Sequence, residues 1–425
     1  MERKINLFFT KWKNEISDKP LLLYGSKQIG KTYSSLEFGY QNFKNVVYFN
    51  TENNKEVIEI FKKQKSTDKI IQELSILSNE TILATDTLLI LDNVDNIDII
   101  KGLRLISIEK KGYSIIAITS RKDKLSEFKS EELLFKGMME MDFEEYLWAR
   151  DEKILANLIK ECFEKPKKCS FHKTALEFFQ EYLITGGLPE VVHANINAKN
   201  IYQIDAIKQK VLDCIKKEIL INKNLIDISR GLEVLDSIPY QLKKINKKFQ
   251  YGILGSGKRA KEYENAINFL VNNQLLYRSY KITTVKSPLL SCREVESFKL
   301  YMPDDGILYS MMHLNPKQFT KDEELKEALY ENHLAKTLVE SGYALYYYQS
   351  QGKAEVNFVI QNRMGKIIPI EISTKENAKA KSLSVFMKNH ITTQAYRITE
   401  NNFLTKKDIR YIPVYAIFCL NEMKI

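Results

Sequence analysis

The sequence predicts a multidomain α/β protein, and three observations carry that prediction. The apolar run Leu21-Leu22-Leu23-Tyr24 leads into Gly25-Ser26-Lys27-Gln28-Ile29-Gly30-Lys31-Thr32, which fits G-x-x-x-x-G-K-[ST]. Further apolar runs then alternate with helical patterns as far as residue 120, the order expected of a doubly wound parallel sheet. Towards the other end a long helical stretch, 323–341, precedes three strand-like runs punctuated by Gly352 and Gly365, which suits a separate α/β core.

Residues 5–13 place Ile5, Phe8, Phe9 and Trp12 at helical spacing. The motif after the first strand reads as a phosphate-binding loop. Gly25 and Gly30 let the backbone turn so that the N–H groups of the residues between them, Ser26, Lys27, Gln28 and Ile29, face a polyphosphate. Lys31 brings a point charge to the β/γ-phosphates, and the Thr32 hydroxyl completes a Mg²⁺ shell. The helix expected over 32–43 adds roughly half a positive charge at its N-terminus. Val46-Val47-Tyr48-Phe49-Asn50 suits a second buried strand, and helical patterns occupy much of 55–78.

Two more apolar runs follow, Thr87-Leu88-Leu89-Ile90-Leu91-Asp92 and Tyr113-Ser114-Ile115-Ile116-Ala117-Ile118-Thr119-Ser120. A doubly wound sheet binds its ligand beyond the carboxyl ends of its strands, where Asp92, Thr119 and Ser120 fall. Asp92 is the expected Mg²⁺ holder, through water, beside Thr32. Thr119 or Ser120 can contact the γ-phosphate or the attacking water and Arg121 the phosphates, or each can serve as a polar strand cap.

Beyond residue 125 come strand-like stretches at 133–135 and 138–141. The helix Asp142-Phe143-Glu144-Glu145-Tyr146-Leu147-Trp148-Ala149 follows, its carboxylates expected on a solvated face. Residues 165–168 suit an exposed linker, 175–184 a helix, and Gly186-Gly187-Leu188-Pro189-Glu190 a compact break. The succession of elements divides the chain into domains at 1–150, 151–285 and 286–425, the second mostly α. Within it Lys243, Lys244, Lys247, Lys248, Lys258 and Arg259 are interleaved with Phe249 and Tyr251, ahead of a helix over 260–273. This pattern suggests a winged-helix-like module that either contacts nucleic acid through phosphates or acts as a protein lid. Gly252 to Lys258 matches G-x-x-x-x-G-K, but Arg259 stands where a hydroxyl is needed and no apolar strand precedes it, so a glycine turn is the better reading. In the last domain, strand-like runs at 343–349, 354–361 and 367–372, then 391–398 and 411–420, outline a restriction-endonuclease-like core.

The 425 residues are enough for about three domains. At 44% hydrophobic and 11% aromatic, the composition supplies a core for each. Cys162, Cys169, Cys214, Cys292 and Cys419 are odd in number and scattered, and the five histidines are dispersed, so neither a disulfide framework nor a zinc site is indicated. No stretch is long and apolar enough for a membrane span, and the N-terminus lacks the apolar run of a signal peptide, so the expected location is cytoplasmic. A formal net charge of +10 permits a polyanionic partner or merely serves solubility.

The chain resembles the bacterial and archaeal AAA-type ATP-binding proteins that join a P-loop domain to a C-terminal domain of unknown function with a nuclease-like core. The residues that carry the resemblance are 25–32, Leu91-Asp92, 142–148, 186–190, Ser237-Ile238-Pro239, Phe298-Lys299-Leu300-Tyr301, Glu355-Val356-Asn357-Phe358 and Pro369-Ile370-Glu371-Ile372. The resemblance implies ATP with Mg²⁺ in the first domain. It also exposes departures. Where the family reads Asp-Glu after its second nucleotide strand, this chain has Asp92-Asn93, and an amide can position water but cannot take its proton. Asp95 is a nearby substitute. In the last domain Glu331 and Glu371 fit the family's metal-dependent site, but Asn357 stands for an aspartate and Ser373 for a lysine, with Lys375 two residues on. The implied protein binds ATP, hydrolyses it slowly or not at all, and retains a vestigial nuclease site. DNA processing and a scaffold for protein partners are the alternatives.

Overall fold

The computed structural model describes all residues except 16–18, 53, 64–65, 122–130, 198–200, 222–227, 315–318, 320, 351–354, 375–380, 391 and 423–425. Lys375 therefore lies outside the described residues. Two compact units emerge, residues 1–140 with 272–274, and residues 141–271 with 275–425.

The first unit is a five-stranded sheet, β1 (Leu21–Tyr24), β2 (Asn45–Asn50), β3 (Thr87–Asp92), β4 (Ser114–Thr119) and β5 (Leu134–Gly137), in the order β2-β3-β4-β1-β5 with every pairing parallel. Every residue of β3 and β4 is buried. Helices cover both faces of such a sheet, so these strands are continuous apolar runs rather than alternating ones. Helices α1 (Lys4–Glu15), α2 (Lys31–Asn42), α3 (Lys55–Lys63), α4 (Thr67–Ser78) and α5 (Ile97–Glu109) accompany the strands. Helix α1 buries Ile5, Phe9 and Trp12, while Val57, Ile70, Leu74, Ile99 and Leu103 pack with β3 and β4 residues in one core. Each such side chain contributes roughly 1.5–3 kcal/mol of burial. The order places the ends of β1, β3 and β4 side by side, the crevice where an open α/β sheet takes its ligand.

The second unit begins with helices α6 (Phe143–Ala149), α7 (Lys153–Glu164), α8 (His172–Thr185), α9 (Pro189–Asn197), α10 (Ile201–Ile221), α11 (Ile228–Leu242) and α12 (Ala260–Asn272). The carboxylates of α6 are not on a solvated face. Glu144 and Glu145 are buried, Glu144 pairing with Lys160 at 2.6 Å, while Asp142 and Glu145 form a capping box at the helix start. Backbone N–H groups at a helix start need acceptors, and these acids satisfy them inside the fold.

An eight-stranded mixed sheet follows, built from β6 (Tyr277–Ile282), β7 (Arg293–Tyr301), β8 (Leu345–Gln349), β9 (Glu355–Gln361), β10 (Ile367–Ser373), β11 (Ala395–Thr399), β12 (Leu404–Lys406) and β13 (Ile409–Pro413) in the order β12-β13-β11-β10-β9-β8-β6-β7. Helices α13 (Asp305–Met311), α14 (Glu323–Glu340) and α15 (Lys381–His390) complete it. The domain boundary expected at 285/286 falls in the connection between β6 and β7, and both strands belong to this sheet. The run expected as a strand over 411–420 leaves the sheet at Pro413 and continues as a 3₁₀ helix, Val414–Glu422, with Val414 through Leu420 buried. Unbroken apolar runs suit a buried helix as well as a strand, and periodicity alone does not separate the two. Residues 138–141 likewise form no strand.

Candidate nucleotide site

The loop between β1 and α2 is tightly backed. A Cβ on Gly25 would lie 2.2 Å from the Met138 carbonyl oxygen, so no larger residue fits. The Met138 N–H in turn donates to the Tyr24 carbonyl at 2.8 Å. Gly30 has φ 91° and stands before the first turn of α2 with no side-chain cap, leaving that turn's N–H groups facing the loop. Lys27 and Gln28 are exposed, Ser26 is half-buried and Ile29 is fully buried. The Lys31 ammonium is folded back on the loop, donating to the carbonyls of Gly25 at 2.9 Å and Ser26 at 2.6 Å.

Asp92, the last residue of β3, is the hub. Its Oδ2 accepts from the Thr32 hydroxyl at 2.6 Å and from the Tyr48 hydroxyl at 3.1 Å, and its Oδ1 accepts from the Asn93 N–H at 2.8 Å. Hard oxygens from Thr32 and Asp92 together at a helix N-terminus suit Mg²⁺, which takes one or two protein oxygens and keeps several waters. Burial and then the Asp92 carboxylate push the Tyr48 phenol up to about 12.

Asn93 turns left-handed at φ 58°, a conformation asparagine tolerates well. Its Nδ2 donates to the Asn50 side chain at 3.1 Å. Asp95 accepts from the Thr119 hydroxyl at 2.9 Å, and the same hydroxyl accepts from the Arg121 N–H at 3.0 Å. Thr119 therefore ties Asp95 to the end of β4, and Ser120 follows it directly. Sequence reading missed three participants: Tyr48, Asn50 and Arg3. The guanidinium of Arg3 donates to the Ile29 carbonyl at 2.9 Å and to the Met139 carbonyl at 2.8 Å. Tyr48 and Asn50 were findable from β2 running parallel beside β3, with Asn50 in register with Asp92. Arg3 had no signal in spacing.

In the second unit, Asn357 links the elements that carry the expected vestigial residues, its Oδ1 accepting at 3.0 Å from the Ile372 N–H that lies between Glu371 and Ser373. Glu331 on α14 and Asn357 on β9 do meet, the amide donating at 2.8 Å. Glu331 is fully buried and also takes the Lys299 ammonium at 3.0 Å, the Lys247 ammonium at 3.3 Å and the Tyr301 hydroxyl at 2.7 Å. Burial alone would raise its pKa, but the Lys247 and Lys299 ammoniums and the Tyr301 hydroxyl outweigh that and hold it down at about 2. Lys299 bridges on to Glu355 at 2.7 Å. Glu371 instead lies 3.7 Å from Arg397, its pKa raised by burial against the Arg397 charge. Ser373 pairs with Thr399 in the sheet register. Among the described residues no group of three or more His, Cys, Asp or Glu side chains gathers to hold a metal ion.

The basic stretch also needs correction at Lys247, which is buried against Glu331 and Glu327 and is unavailable to an outside partner. Long ammonium side chains are buried only when paired, and spacing does not reveal the pair. Lys243 is exposed but pairs with Asp322 at 3.2 Å, Lys244 donates to Gln250 at 3.0 Å, and Lys258 lies 3.5 Å from Glu233. Arg259 is exposed and Lys248 half-buried. Gly252 to Arg259 forms a short 3₁₀ turn and loop, as expected of a glycine turn.

Residues 17–147 match the family described as an AAA domain, 176–318 a domain of unknown function (DUF8612), and 326–417 another domain of unknown function (DUF4143). The fold and these matches define an AAA-type P-loop protein with additional domains. The chain is similar to the Walker-type ATPase PABY2304 of Pyrococcus abyssi, at 10% identity over 74% of this chain and 96% of that one with a TM-score of 0.45. It is also similar to the Thermotoga maritima RuvB Holliday junction branch migration motor, at 10% identity over 68% and 90% with a TM-score of 0.28. A third likeness is to Drosophila ORC bound to AT-rich DNA and Cdc6, at 13% identity over 75% and 90% with a TM-score of 0.22. No curated protein matches the sequence. Among the described residues no helix is long and apolar enough to cross a membrane.

Proposed function

We propose that the chain binds Mg²⁺-ATP on the 25–32 loop, hydrolyses it slowly or not at all, and uses the nucleotide state to control its later domains. The observation that carries this reading is the hydroxyl–carboxylate contact of 2.6 Å between Thr32 and Asp92 beside the Lys31 ammonium. A phosphate ligand would draw Lys31 from the Gly25 and Ser26 carbonyls onto itself, since a charged partner outweighs a neutral one. Slow turnover is supported by the amide of Asn93, held on Asn50, where an ATPase of this kind uses a carboxylate. Asp95 is engaged by Thr119, which argues against its serving as the base.

The winged-helix-like reading of the middle region is supported by helices α10 to α12 followed by the β6–β7 hairpin. The nuclease-like reading of the last region is supported by α14 against β8 and β10 and by its Glu331 meeting Asn357 of β9, with Lys299 occupying charge that a metal would otherwise balance. Contact with nucleic acid, the second reading, draws on the net charge of +10 and exposed Lys244 and Arg259. A scaffold that binds protein partners is the third. ATP affinity and turnover, measured together on the parent and on Lys31→Ala, test the first reading. Binding that Lys31→Ala leaves unchanged would overturn it.

A further inference from the structure

The geometry points to Arg3 as a positioning residue of the phosphate loop, an inference that rests on the nucleotide reading above. Arg3 lies 26 residues before Ile29 and 136 before Met139, and its guanidinium joins the carbonyls of both at 2.9 and 2.8 Å. The side chain is buried, with 5% of its surface exposed. The consequence for the loop follows from peptide planarity. In a trans peptide the C=O and the next N–H point in opposite directions, so drawing the Ile29 carbonyl towards Arg3 turns the Gly30 N–H away from it. That peptide immediately precedes Lys31 and Thr32 and adjoins a glycine at φ 91°, the most pliant joint of the loop. Without the guanidinium the Ile29–Gly30 peptide can flip, and the N–H at the helix start loses its aim.

The second contact makes the clamp rigid. Met139 follows Met138, whose carbonyl already fills the space that a Gly25 side chain would need and whose N–H is bonded to Tyr24. Arg3 thus ties the end of the loop to the same segment that backs its beginning. Two carbonyls on separate segments require a planar fork; a lysine ammonium supplies the charge but not that geometry.

The test compares Arg3→Gln and Arg3→Lys with the parent in ATP affinity, unfolding midpoint and hydrogen exchange of the loop amides. Charged hydrogen bonds to buried carbonyls are strong enough that affinity should fall at least about tenfold in Arg3→Gln, and less in Arg3→Lys. Amides of 26–32 should exchange faster while those of β3 and β4 stay protected. If the parent binds ATP and both variants bind it equally well with unchanged exchange, the inference falls. If the variants' β3 and β4 amides lose protection together with the loop, Arg3 is a general structural residue and the inference also falls. A parent that binds no ATP at all overturns the nucleotide reading instead, a distinct result.

Discussion

The Thr32 hydroxyl donates to the Asp92 carboxylate at 2.6 Å, joining the start of α2 to the end of β3. This contact brings two oxygens from residues 60 apart in sequence to one point of the crevice. Asp92→Ala removes the acceptor shared by the Thr32 and Tyr48 hydroxyls and should cost about 1–3 kcal/mol of stability, yet in folded protein weaken ATP binding in Mg²⁺ far more than in EDTA. Parallel titrations in the two buffers check it.

Asn93→Glu should raise ATP turnover, by up to the order of 10²-fold if a missing base limits the rate. The gain comes with a loss of stability of about 1 kcal/mol, because residue 93 is left-handed and glutamate tolerates that conformation less well than asparagine. Steady-state phosphate release and urea unfolding measure the two effects separately.

Gly25→Ala should abolish ATP binding. Its Cβ would fall 2.2 Å from the Met138 carbonyl, so the loop or its backing segment must move. Retention of parental affinity in this variant would show that the loop is more adaptable than its packing implies.

Glu331 has a folded pKa of about 2 against an ordinary 4.5. A depressed carboxylate contributes stability that is complete above its unfolded pKa and is lost as pH falls, here between 4.5 and 2. Glu331→Gln leaves Lys247 and Lys299 buried without their shared partner and should cost about 3–5 kcal/mol at neutral pH. The variant should also lose stability less steeply over that acid window, as followed by urea unfolding at several pH values.

Lys247→Ala should lower stability, whereas Lys244→Ala should not. If the chain binds DNA through this stretch, Lys244→Ala and Arg259→Ala should each reduce the salt slope by about one, and Lys247→Ala should not change it. Binding measured from low to moderate salt distinguishes them.

The first unit was legible because its signals are local. A glycine-framed loop between an apolar run and a helix needs no distant partner to be recognised, and the unbroken burial of β3 and β4 is written in their side chains. The buried charges were not legible, because their meaning lies in partners far along the chain. Lys247 reads as one of a basic cluster until Glu331, 84 residues later, is seen beside it. Glu144 and Glu145 look like a wet face until Lys160 and the Asp142 cap are found. The break at Gly186-Gly187 falls between α8 and α9 as the sequence says, but that the Gly187 N–H is held there by Asp304 at 2.7 Å is a junction only the fold reveals.

The most direct test of the account is calorimetric titration of the folded parent with ATP, with and without Mg²⁺. The account predicts a single site whose affinity is raised by Mg²⁺ and largely lost in Lys31→Ala. No heat from ATP at about millimolar concentration, in protein whose cooperative unfolding shows it to be native, would contradict it.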